Sequence, residues 1–120
     1  MAGIILALVF QPAHVVMETE FPEPDNEGSL EDNWAIHQFK TTSNFAPNNK
    51  VLGWYMGGLN YQVEHHLFPT ICHIHYPAIS KIVKATAEEY GVPYYSQKTF
   101  ASAVKSHFQL LMRLGKGAVA

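Results

Sequence analysis

The 120-residue chain has a single cysteine, Cys72, so no internal disulfide can brace its fold, which suits a reducing compartment. It has no Lys or Arg before Lys40, whereas seven of its ten acidic residues fall between Glu18 and Asp32. With a formal net charge of -2, nothing draws the chain generally to nucleic acid. Long apolar runs are missing too. The run from Gly3 to Phe10 lacks the positive flank and cleavage context of a secretory signal, and it falls short of the roughly 20 apolar residues that span a bilayer. It is expected to be the end of a longer membrane helix. Absent as well are a glycine-rich phosphate loop, a GxSxG elbow and a dinucleotide fingerprint, so the nucleotide-binding and serine-hydrolase chemistries built on those turns have no support. No stretch alternates for long with the period of two that marks a half-buried strand, and the expected class is all-α.

What the chain does have is histidine, seven in all, recurring near aromatic residues. The pair His65 and His66 lies in a stretch from Gly57 to Pro69. There the Gly57–Gly58 pair, Asn60 as an N-cap and Pro69 as a stop predict a helix of about two turns. At about 100° per residue, Gln62, His65 and His66 stand at i, i+3 and i+4 and share one side of that helix.

Upstream, the nearly uncharged segment from Met1 to Met17 predicts a buried or membrane-inserted helix over Gly3 to Thr19, kinked near Pro12. His14 then lies toward its polar end, with Glu18 one turn later on the same face. That is the arrangement of a ligand imidazole oriented by a carboxylate and, more often, of an ordinary surface ion pair. Residues 20–28 read as an acidic, exposed connector between residues 1–19 and a helical region over 29–120. Ser29 and Asp32 are expected to open a helix reaching Lys40, with Leu30, Trp34 and His37 on one side. A polar break follows from Thr41 to Asn44. Asn48 is expected to cap the next helix, carrying Val51, Leu52, Tyr55, Met56 and Leu59. Another helix runs from Pro77 to Tyr90, with Ile79, Ile82, Val83, Thr86 and Tyr90 along one face, and stops at Gly91. A last one, capped by Ser96, ends at Gly115. Lys81, Lys84, Lys98, Lys105, Arg113 and Lys116 can face anionic headgroups or simply water.

Three readings of the histidines stand side by side. In one, His14, His65 and His66 ligate non-haem iron, with Gln62 a weaker ligand or a supporting group; imidazole alone does not select iron over zinc or copper. In another, His65, His66, Cys72, His73 and His75 hold zinc, although no CxxC pair or HExxH helix supports that spacing. In the third, aromatic and histidine side chains merely pack. Cys72 beside His73 and His75 also suggests a thiol nucleophile, but only weakly.

The run Asn60, Tyr61, Gln62, Val63, Glu64, His65, His66, Leu67, Phe68, Pro69 resembles the third histidine box, QxxHH followed by LFP, of membrane fatty acid desaturases of the front-end and acyl-lipid type. His14 to Glu18 is similar to the end of that family's last membrane helix. Trp34, Gln38, Thr41 and Asn44 resemble its connecting segment, and Tyr90 to Tyr94 its cytoplasmic tail. The resemblance implies an integral membrane oxidoreductase whose histidine box and following region face the cytoplasm. It implies two non-haem irons, a fatty acyl substrate on coenzyme A or a lipid, O2, and electrons from a small haem cytochrome or ferredoxin, with a cis double bond as product. It also implies that His14, His65 and His66 are iron ligands and that Gln62 stands where relatives reading HxxHH have a histidine. Glu18, His37 and Glu64 are then candidates to support the ligands. The family's first two boxes, HxxxH and HxxHH, are absent, so the chain is expected to be a C-terminal part of one desaturase domain, inactive alone. The alternative is a non-catalytic helical metal-binding or membrane-associated interaction module.

Overall fold

The computed structural model describes residues 1–23, 26 and 33–117. The expected opening of a helix at Ser29 and Asp32, with Leu30, lies outside these residues, as do residues 24, 25, 27 and 28 of the connector.

The apolar N-terminal segment forms α1 (Ala2–His14), which keeps Pro12 within its last turn. It ends five residues before the expected Thr19. The Thr19 hydroxyl lies 2.9 Å from the His14 carbonyl and 3.0 Å from that of Val16, bonding to carbonyl oxygens that no further helical turn reaches. Most of the large apolar side chains of α1, among them Ile4, Leu6 and Phe10, are exposed. No helix among the described residues is long and apolar enough to cross a membrane.

α2 (Trp34–Thr41) is capped by Asn33, whose side-chain oxygen accepts from the Ile36 amide at 3.0 Å. The polar break that follows is an extended segment rather than a turn. β1 (Ser43–Phe45) pairs in parallel with β2 (Tyr95–Gln97), with Ser43 opposite Tyr95 and Phe45 opposite Gln97. The protein is therefore mostly helical, with one two-stranded addition that the all-α expectation lacks. All three residues of β1 are buried, so the strand carries no in-out alternation for the sequence to display. Ala46, at a left-handed φ of 47°, closes the pair by donating its amide to the Gln97 carbonyl at 2.8 Å.

α3 (Lys50–Tyr55) is capped by Asn49 rather than Asn48 and is shorter than its apolar stripe predicts. Gly57 and Gly58 take φ values of 59° and 77°, which turn the chain sharply after the C-cap Met56 and keep Leu59 out of the helix. α4 (Gln62–Leu67) follows. Asn60 does not cap it: Asn60 is buried, and its amide donates to the Ala46 carbonyl while its own carbonyl accepts from Phe45. A one-turn 3-10 segment (His73–His75) leads into α5 (Tyr76–Glu89), whose buried residues are Tyr76, Val83 and Ala87 while Ile82 stays exposed. Gly91, at φ 66°, stops it. α6 (Phe100–Gly115) is capped by Thr99 and Ser102 acting reciprocally, because Ser96 is taken up by β2.

The core is small. Ala13 of α1, Phe45, Ala46, Met56 and Ala103 of α6 form it, with Val9, Leu52, Leu59 and Phe100 packed around. α1 packs on α6 and β1, while α4 is held between α2, β1 and α5.

Candidate metal centre

α4 is fastened from its buried side. Gln62, Val63 and Glu64 are almost wholly buried, and Asn44 of β1 grips two of them: its side-chain oxygen accepts from the Val63 amide at 2.9 Å, and its nitrogen donates to Glu64 Oε2 at 2.7 Å. The Tyr94 hydroxyl donates to the other carboxylate oxygen, Oε1, at 2.6 Å and lies 2.8 Å from the Asn44 nitrogen. Burial pushes the Glu64 carboxyl above the ordinary carboxylate range, against the pull of those two donors, and raises the Tyr94 phenol as well. Glu64 thus sets the rotation of α4 about its axis without touching an imidazole.

That rotation turns His65 and His66 toward α1, α2 and α5. The His66 ring lies 5.0 Å from that of His14 and 6.1 Å from that of His65, centroid to centroid. His66 Nδ1 is 2.7 Å from Gln38 Oε1 on α2. An amide oxygen only accepts, so Nδ1 carries the proton and Nε2 keeps its lone pair. His65 Nδ1 is 3.2 Å from the Tyr76 hydroxyl. Burial, with the charges of His14 and His65 adding to it, lowers His66 to about 4. Burial likewise lowers His14, partly offset by its hydrogen bond to the Thr41 carbonyl. Both rings are neutral at pH 7, the form in which imidazole binds a metal.

The structure thus brings His14, His65 and His66 together. Gln62 sits on the same helix, with its side-chain nitrogen buried and without a partner among the described residues. His37, on α2, likewise has a buried, unpartnered Nδ1. Glu18 is elsewhere: because α1 stops at His14, Glu18 is not one helical turn beyond it, and its carboxylate accepts from Ser106 Oγ of α6 at 2.7 Å. Cys72, His73 and His75 lie exposed along the turn before α5. His107 Nδ1 donates to the Val15 carbonyl at 2.6 Å, tying α6 to the end of α1. Among the described residues no group of three or more His, Cys, Asp or Glu converges tightly enough to hold a metal ion by itself. The imidazoles of His14, His65 and His66 are nitrogen donors of the type that suits iron, zinc or copper, too few to complete a site on their own.

Sequence alone gives four supporting residues no role. Gln38, Asn44 and Tyr94 lie in segments that carry the family resemblance, but nothing in periodicity marks them. Tyr76 is a buried aromatic on α5 whose hydroxyl happens to face His65.

Comparison with known proteins places this geometry in a family. Residues 1–98 match the model of the fatty acid desaturase family. The chain is 49% identical to an sn-1 linoleoyl-lipid 6-desaturase of Synechocystis sp. over 97% of its own length and 33% of the relative's. It is 49% identical to the enzyme of the same name from Arthrospira platensis, over 93% of this chain and 30% of that one. An acyl-lipid (8-3)-desaturase of Physcomitrium patens is 47% identical, over 94% and 23%. The chain thus spans a third or less of the length of these relatives. No solved structure matches it. The chain belongs to the fatty acid desaturase family.

Proposed function

We propose that residues 1–120 are part of a single desaturase domain of a membrane-bound acyl-lipid desaturase, an oxidoreductase that places a cis double bond in a fatty acyl chain using O2. The observation that carries this reading is the cluster of His14, His65 and His66, with His14 and His66 kept neutral by burial and His66 Nδ1 held by Gln38 so that Nε2 is free to ligate. His14, His65 and His66 would hold part of a pair of non-haem irons, which supply the oxidising power needed to remove hydrogen from an unactivated methylene pair. Gln62, whose buried side-chain nitrogen has no partner among the described residues, is a supporting group or, through its oxygen, a weaker ligand.

The chain's own contribution is positional. Asn44 and Tyr94 hold Glu64 and thereby α4. Gln38 fixes one imidazole tautomer, and Tyr76 orients the His65 ring. His37, on a helix packed against α4, is a further supporting residue. Nitrogen ligands tolerate a strong oxidant that would attack thiolate, and the single thiol, Cys72, is exposed. The acyl substrate is lipid-linked, as the relatives' names suggest, and a small haem cytochrome or ferredoxin delivers electrons to the cytoplasmic side, where the histidine box lies.

Replacing His65 or His66 by Ala in the longer protein that carries this chain tests the assignment. The expected result is loss of double-bond formation, measured as unsaturated fatty acid methyl esters, together with a lowered iron content at unchanged protein level. Retained desaturation in either variant overturns it.

A further inference from the structure

Two cavities open between α3 and α5. One, of about 420 Å3, has Lys50, Lys81 and Lys84 in its walls. The other, of about 250 Å3, has Trp54 and Ile74. They share Pro47, Lys50, Tyr61 and Pro77, and so form one groove with a basic end and an apolar end. Lys81 and Lys84 stand at i and i+3 on α5, which turns both toward the groove, and Lys50 reaches it from the first turn of α3. No acidic side chain among the described residues lines either cavity. The two tyrosine hydroxyls there are already engaged, Tyr61 with the Pro47 carbonyl and Tyr94 with Glu64. The lysine ammonium groups therefore supply the charge that a ligand would meet. At the other end Trp54 is 81% and Ile74 68% exposed, an apolar platform with nothing packed on it among the described residues. None of His14, His65 and His66 lines the groove.

Three ammonium groups around a hollow of small-molecule size suit an oxyanion of more than one charge, and phosphate carries nearly two. An aromatic ring beside them suits an apolar extension of the same molecule, since Trp presents a large apolar face at little conformational cost. We propose that this groove binds a phosphate-bearing amphiphile, its phosphate between Lys50, Lys81 and Lys84 and its apolar part over Trp54 and Ile74. The site is separate from the histidine cluster, and the proposal stands without the desaturase reading.

The test uses the full chain with Trp34→Phe, so that Trp54 is the single tryptophan and its fluorescence reports the groove. Three probes are titrated: dihexanoyl phosphatidate below its aggregation concentration, dihexanoylglycerol, which lacks the phosphate, and glycerol 3-phosphate, which lacks the apolar part. Phosphatidate is expected to give a saturable blue shift, at least tenfold tighter than either of the others. Lys81→Ala with Lys84→Ala should weaken it at least tenfold. Both lysines are exposed and Ala is the better helix former, so circular dichroism should be unchanged. If that pair fails to fold, Lys50→Gln on α3 decides, with a several-fold loss expected. Equal binding of dihexanoylglycerol would show apolar capture alone, equal binding of glycerol 3-phosphate a purely polar ester site, and unchanged binding in the lysine variants no role for them. Each of these outcomes overturns the proposal.

Discussion

Glu64 stands between a glutamine and the histidine pair, and its carboxylate is fully buried with Asn44 and Tyr94 on its two oxygens. A buried carboxylate that loses a donor keeps its desolvation cost, so removing the Tyr94 hydroxyl should hurt more than a surface hydrogen bond would. Tyr94→Phe leaves the ring packed near Phe39 and deletes only the hydroxyl. We expect a loss of about 1–3 kcal/mol, read from chemical denaturation. An unchanged midpoint would mean that Tyr94 does not hold Glu64 in solution. His66 makes a second prediction at this scale. Its folded value of about 4 lies below the ordinary 6.5, so below pH 6.5 the unfolded chain takes up a proton that the folded chain refuses until about 4. Stability should therefore be full above pH 6.5 and fall as pH drops from 6.5 toward 4, by at most about 3 kcal/mol from this group. Lowered His14 acts in the same direction. His66→Gln should flatten that part of the denaturation-versus-pH curve, and a variant curve parallel to the wild type would refute the assignment.

Among the elements, the turn between α3 and α4 decides where the histidine pair sits. Gly57 and Gly58 both have positive φ, but a Cβ on Gly57 would meet open space, whereas one on Gly58 would lie 2.4 Å from the His73 Cβ. Gly57→Ala should cost about 1 kcal/mol, the penalty of a left-handed backbone alone. Gly58→Ala should cost about 3 kcal/mol or more, since the turn before α5 must also move. Comparable midpoints for the two variants would contradict the close approach to His73. This turn was legible from the glycine pair, but its product was not. The sequence offered Asn60 as a cap for α4, whereas its side-chain nitrogen donates to the Ala46 carbonyl and its backbone carbonyl accepts from Phe45, which ties the residue to the extended segment instead of the helix end. The caps of α3 and α6 are Asn49 and Thr99 in place of the expected Asn48 and Ser96. Candidate cap residues were plentiful, and only the path of the neighbouring chain selects one.

For the whole molecule, the described residues supply three clustered imidazoles, fewer donors than a pair of irons needs. Since the chain spans a third or less of its relatives, we expect the purified 120-residue chain to hold well under two irons. Metal analysis with Mössbauer spectroscopy checks this, and a stoichiometric iron pair would refute it. The positions of the histidine pair and of Gln62 on one helix were readable from sequence because helical geometry is local: residues at i, i+3 and i+4 share a side wherever the helix goes. The apolar opening helix, the stop at Gly91 and the family were readable for the same reason, each resting on a contiguous run. Tertiary structure alone decided the rest. Glu18 left His14 for Ser106 because α1 ends early, and Gln38 rather than a carboxylate came to hold His66. β1 met β2 across some fifty residues, and Asn44 and Tyr94 came with them onto Glu64. Burial from several elements at once gives such residues their partners and their altered acidities, and no window along the chain contains that information.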